Sequence, residues 1–354
     1  MVAWLLRDCG FSLKLHGFHA TEGSIMAVKI DLIGVGSPVV DLLAHVEEEF
    51  VAGIDGGKGG MELVDAAALT EMTNKLANAP KQAAGGSAGN TAFAAGKLGT
   101  QVGFLGKLGN CDAAQFYEDR FAEIGSDLSR FKRGNVPNAK CLSLVTPDSE
   151  RTMRTDLGAA MTLSPDEVSA ADFSGVKHVH MEGYLLFNRD LMKKVLESAK
   201  EAGCSTSLDM ASFEVVKASE DVLPGWLKDY VDIVFANEDE AAAYFPDLGD
   251  DHKAMAAAFS EICEVAAVKL GKDGSLIAKN GEVEFVEPIV IEQAIDTTGA
   301  GDYWAGGFLH GWLQDKPLAV CGRYGSIMGA EVVQVLGASL PEERWQALIG
   351  NLDS

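Results

Sequence analysis

"DTTGAGDYWAGGF", residues 296–308, places two glycines and two aspartates where a polar turn gives way to an apolar run. A structural turn needs one glycine there and gains little from an acid at each end. From Tyr303 to Leu313 the chain is apolar nearly all round, which predicts a buried helix whose first turn begins near Gly299 or Ala300. The free N–H groups and positive dipole of such a helix start form an anion site without any basic side chain. Glycines at 299 and 301 let the backbone approach a phosphate closely. An acid at 302, in the same turn, would repel that phosphate unless it serves to take a proton from an attacking hydroxyl. The residues therefore point to phosphoryl transfer, with Gly299, Ala300 and Gly301 holding the migrating charge and Asp302 as the base. The plainer alternative is an ordinary acidic helix start behind a glycine loop.

Working outward, "VKIDLIGVG" (28–36), "QVGFLGKLG" (101–109), "KHVHMEG" (177–183), "CSTSLDM" (204–210), "VDIVFAN" (231–237) and "EVAAVKLG" (264–271) read as buried strands. Helical patterns at 188–202, 238–245 and 251–262 fall between them. This alternation predicts an α/β fold, a mostly parallel central sheet with helices on both faces. A ligand crevice is expected at the carboxyl edge of that sheet. Two stretches break the alternation: 42–54 and 139–155 look like hairpin strands with one apolar face, a small sheet beside the main domain and hence a lid. The lid's partly exposed apolar face makes it a candidate homodimer surface.

The 354 residues carry 29 basic and 52 acidic side chains, a formal charge of −23. So acidic a surface argues against nucleic acid and anionic membranes as partners. Six scattered cysteines without a C-x-x-C pair suit a reducing cytoplasm rather than a disulfide or zinc framework. No apolar run approaches a membrane span. Met26 precedes the first clear strand, so residues 1–25 read as an extension and 26–354 as the working domain. His45, His178, His180 and His310 show no paired metal spacing and read as structural or surface residues. No G-x-x-x-x-G-K-[ST] occurs, and "GVGSPV" (34–39) lacks the third glycine of a dinucleotide turn, which removes an oxidoreductase reading.

D-T-x-G-A-G-D resembles the second signature of the ribokinase (PfkB) family of carbohydrate and nucleoside kinases. "GGSAGNTAFAAGKLG" (85–99) resembles its first signature, "ANEDEAAAYF" (236–245) its Asn-x-x-Glu element, and "VKLGKDGS" (268–275) its nucleotide-side Gly-x-x-Gly turn. The resemblance runs over about residues 28–340 in the family's order. It implies a ribokinase-like three-layer fold with a β-sheet lid, ATP and Mg²⁺ as cofactors, and a small nucleoside or sugar as acceptor.

By the same resemblance, Asp41, Gly86 and Asn90 take substrate hydroxyls, while Asn237, Gly271, Gly274 and Thr297 line ATP. Glu240 would reach Mg²⁺ through water. Asp296, with carbonyls near 335–339, would hold a monovalent cation such as K⁺, and 325–339 would cover the adenine. Each has a plainer alternative: Asp41 as a turn cap, Gly85–Gly86 as a simple turn, Asn237 and Glu240 as a capping box, "GKDGS" as a hairpin turn. Two positions depart from the pattern, Lys269 where relatives have Thr and Met161 where they often have Asn. "RTMRTDLGAA" (151–160) and "LDMASFEVV" (208–216) resemble the adenosine-kinase-like bacterial branch, which implies phosphorylation of a nucleoside at a primary hydroxyl. A base slot is expected from lid residues such as Phe50 or Met153. The alternatives are a kinase of free ribose or fructose, and a non-catalytic sensor on the same fold.

Overall fold

The computed structural model describes residues 29–352 apart from Ser149, so the extension expected at 1–25 lies outside the described residues. From one edge to the other, an eight-stranded sheet runs Glu282–Val286, Ser275–Lys279, Val265–Lys269, Ile233–Asn237, Ser205–Asp209, Val176–Glu182, Ile30–Val35 and Val102–Leu105. The strands from Val265–Lys269 to Val102–Leu105 are mutually parallel, and the hairpin at the other edge is antiparallel. The parallel strands are apolar runs because helices cover both of their faces.

On one face, helix Arg189–Glu201 buries Leu191, Met192, Val195, Leu196 and Ala199, the spacing of one helical stripe, and Asn188 caps it by accepting from the Leu191 amide. On the other face lie Ser87–Lys97, Ala300–Trp312 and Leu318–Val332. The "GG" at 306–307 is explained here. A Cβ at Gly306 would stand 2.8 Å from the Thr91 carbonyl oxygen, and one at Gly307 2.6 Å from that of Tyr324, so neither neighbouring helix leaves room for a side chain. The three-layer α/β expectation is met.

The lid is a five-stranded sheet, Gly60–Leu63, Arg151–Asp156, Lys140–Val145, Val40–His45 and Lys81–Ala84 in spatial order. The 139–155 hairpin forms as expected. The 42–54 stretch does not remain extended: ladder pairing stops at the Val46 amide, and Glu48–Ala52 is a short helix that buries Val51. Two acids in its first turn favour that helix electrostatically, a preference that outweighs the alternation read from the sequence. The flanking strands at 60–63 and 81–84 are short and mostly exposed, so they lack the buried pattern that would mark them. In segment 325–339 the helix Leu318–Val332 ends and a turn follows.

His178 and His180 sit inside the sheet, fully buried, with ring nitrogens on the hydroxyls of Ser205 and Ser207. Burial lowers His178 to about 3 and His180 to about 4. Below the ordinary histidine range the unfolded chain therefore takes up protons that the fold refuses, and this pair costs stability as pH falls from about 7. His178→Gln should consequently lose less Tm than the wild type between pH 7 and pH 5. Parallel Tm curves would contradict this account.

Candidate active site

Gly299 caps helix Ala300–Trp312 in the left-handed region (φ 73°). Any L side chain there is strained, and a Cβ would also meet that of Ala338 at 2.7 Å. The Ala300 amide turns back onto the Thr297 carbonyl at 3.2 Å, so the amides facing outward from the first turn are those of the next residues, Gly301 and Asp302. Asp302 then receives the Asn90 side-chain amide on Oδ2 at 2.9 Å and the Ser87 hydroxyl on Oδ1 at 2.8 Å. Thr91 donates its hydroxyl to the Asp302 carbonyl. Two sequence signatures more than 200 positions apart thus meet at one carboxylate.

Gly86 begins helix Ser87–Lys97 with φ 82°, and a Cβ on it would lie 2.1 Å from the Ser37 carbonyl oxygen. A Cβ on Gly85 would lie 2.4 Å from Asp41 Oδ2. The structure therefore brings Asp41, Gly86, Asn90 and the 299–302 turn together, at the carboxyl edge of the sheet and under the lid.

Several residues of this site carried no sequence signal of their own. Glu182, fully buried at the end of its strand, accepts from the Ser37 amide on Oε1 and the Ala88 amide on Oε2, tying the turn after strand Ile30–Val35 to the start of helix Ser87–Lys97. Ser87 lay inside the quoted glycine signature without being singled out. Tyr184, two residues after Glu182, stays 42% exposed, and desolvation of its hydroxyl with the nearby Asp302 raises it above the usual tyrosine range. Burial likewise drives the acids upward: Asp302 to about 6, against the pull of Asn90 and Ser87, and Asp41 and Glu182 each to about 7.

At the end of strand Ile233–Asn237, Asn237 and Glu240 form a reciprocal capping box. The Asn237 amide and side chain donate to the two Glu240 oxygens, and the Glu240 amide donates to Asn237 Oδ1. The plainer alternative is thus realised, and both oxygens of Glu240 are taken. Burial, with Asp209 next, raises Glu240 to about 7. Among the described residues no three His, Cys, Asp or Glu side chains converge as a metal cage.

Gly271–Asp273 is the turn between two strands, closed by the Leu270 amide on the Gly274 carbonyl. A Cβ on Gly274 would strike the Val286 carbonyl oxygen at 2.4 Å, whereas Gly271 borders open space. Thr297 is exposed, and it is the Thr298 hydroxyl that binds Asp296. Asp296 also accepts from the Gly337 amide and from Arg151 of the lid hairpin, at 2.8 and 2.7 Å. Burial would raise this carboxyl, but the Thr298 and Gly337 donors and the Arg151 charge hold it low. The counter-charge on Asp296 is therefore a guanidinium.

The family model for pfkB carbohydrate kinases matches residues 60–345. The chain belongs to the pfkB family. Among curated relatives, a yeast (Saccharomyces cerevisiae) adenosine kinase is 28% identical over 337 residues, covering 88% of this chain and 97% of the relative. An ATP-dependent ribose-1-phosphate kinase of Halopiger xanaduensis is 29% identical, covering 71% and 80%. Among solved structures, the adenosine kinase of Sinorhizobium meliloti superposes with a TM-score of 0.80 at 29% identity, covering 90% of this chain and 98% of that one. A probable sugar kinase of Rhizobium etli gives 0.81 at the same identity and the same coverage. This pfkB protein is an ATP-dependent kinase of a sugar or nucleoside.

In this pfkB kinase the Arg151–Asp296 pair ties the lid to the turn before helix Ala300–Trp312, with both side chains largely covered. Arg151→Met should speed backbone hydrogen exchange in the 140–156 hairpin about tenfold or more, the factor that a loss of about 1.4 kcal/mol gives. Unchanged exchange there would show that the lid is held by its sheet contacts alone.

Proposed function

We propose that this kinase transfers the γ-phosphoryl group of ATP to a primary hydroxyl of a nucleoside of the adenosine type. The observation that carries the transfer step is Asp302 in the first turn of the anion helix, oriented by Asn90 and Ser87. The acceptor hydroxyl gives its proton to Asp302 as its oxygen bonds to phosphorus, and the bridging bond to ADP breaks. The Gly301 and Asp302 amides meet the charge on the moving group. ATP brings Mg²⁺, which neutralises phosphate charge; Glu240 and Asn237 would reach that ion only through its waters.

The acceptor reading rests on the lid. Asp41, Leu43, Met153 and Arg151 share its inner face by register, Asp41 opposite Cys141 and Leu43 opposite Ser143. Val39, Ala139 and Cys141 form a small apolar cluster there, with Met153, Leu157 and Ala160 packed on it. Asp41 and Asn90 suit a diol, and this cluster suits a base beside it. Phe50 is not part of that wall, because it packs against the separate core cluster that holds Leu42 and Leu144. Arg151 is engaged by Asp296, which leaves a sugar phosphate without that cation. The five described cysteines are unpaired, in keeping with work in a reducing compartment such as the cytoplasm.

Asp302→Asn should lower kcat about 10²–10⁴-fold with little change in KM for ATP, the usual contribution of a general base. Because Asp302 must be ionised to act, kcat/KM should rise with pH through about 6 in the wild type. Asp41 and Glu182, both near 7, titrate in the same window, so the acid limb reports the cluster as a whole. Near wild-type turnover in the variant would remove Asp302 from the mechanism.

For the acceptor, kcat/KM for adenosine, ribose and fructose at saturating MgATP decides. Adenosine should lead, and a tenfold advantage for either sugar would overturn the nucleoside reading while leaving the kinase intact.

A further inference from the structure

Lys269 ends strand Val265–Lys269, in register with Asn237, and so stands at the edge where the anion turn lies. Its ammonium crosses back to Asp209 at 2.7 Å, and both side chains are nearly covered, at 13% and 7% exposure. On its other side, a Cβ at Gly301 would meet Nζ at 3.0 Å. The second glycine of the opening stretch is therefore where this lysine approaches the backbone.

That placement is unfavourable on its own terms. An ion pair this deep gains little net energy, because both charges lose their water. A cation set against the amino end of a helix is repelled by the positive end of its dipole. An anion between the ammonium and the first-turn amides would reverse both penalties. Burial works against the charge on Lys269, but Asp209, Glu240 and Asp302 around it outweigh that effect and keep it protonated.

We propose that Lys269 is a catalytic residue, whose ammonium binds the phosphoryl group in flight opposite the Gly301 and Asp302 amides. In the step, the acceptor oxygen bonds to the γ-phosphorus and the bond to the ADP oxygen breaks. Asp302 receives the acceptor's proton. Lys269 gives up none; it turns part of its charge from Asp209 to the transferred group, as a point charge suited to phosphate. The inference rests on the Asp302 turn being the site of transfer, and Lys269 does not itself hold or deprotonate the acceptor.

The test compares Lys269→Arg with the double variant Lys269→Met/Asp209→Asn, which removes both charges of the pair and so leaves Asp209 without a stranded charge. The acceptor is whichever of adenosine, ribose and fructose gives the highest kcat/KM. In the double variant kcat should fall about 10²–10³-fold, the usual loss for one donor to developing charge, with KM for MgATP changed only severalfold. Affinity for MgADP with aluminium fluoride and the acceptor should fall far more than affinity for MgADP alone. Lys269→Arg should stay within about tenfold of the wild type. A folded double variant that turns over within threefold of wild type, or loses both affinities equally, overturns the proposal. Full turnover in Asp302→Asn beside a loss in the lysine variant would instead sink the base assignment and leave Lys269 standing.

Discussion

The Asp302 carboxylate, held by Asn90 and Ser87, is the contact on which the rest of the site depends. It joins the amino ends of two helices that approach from separate parts of the chain. Left-handed backbone at Gly299 aims one helix, and the glycine pair at 85–86 aims the other. The start of helix Ala300–Trp312 supplies the outward amides of Gly301 and Asp302, a place where a negative group is well received. Glu182 anchors the second of these helix starts to the turn at Ser37 by accepting from the Ser37 and Ala88 amides.

Such a site gathers carboxylates in covered positions, which is costly for charged groups. The chain answers that cost in two ways. Asp41, Glu182 and Asp302 are raised toward neutrality by burial, so their charge is labile in the physiological range. Asp209 and Asp296 instead receive fixed cations, Lys269 and Arg151. The labile acids cluster about the meeting point of the two helix starts, and the fixed pairs brace the neighbouring strand ends and the lid. In a chain of net charge −23, an anionic substrate needs such a local arrangement to overcome long-range repulsion.

The lid uses its two faces differently. Val40, Leu42, Leu142 and Leu144 pack into the main core, whereas Asp41, Leu43 and Met153 turn inward. Strand alternation alone sorts these residues, since a shift of one residue would exchange the faces. Arg154, fully buried, donates to the carbonyls of Asp55 and Gly57 and ties the loop before strand Gly60–Leu63 to the hairpin.

Local chemistry made much of this legible in the sequence. The buried parallel strands, the helix Ala300–Trp312 and its glycine cap are written in apolar runs and in residues with few alternative conformations. The helix at 48–52 and the short lid strands were not legible, because a few exposed residues carry too weak a pattern to choose between conformations. The partners of the buried charges were also out of reach: Lys269 on Asp209, Arg151 on Asp296, and Glu182 on two distant amides. Those pairings join positions 60 to 145 residues apart, and only the way the sheet orders its strands decides which carboxylate meets which cation.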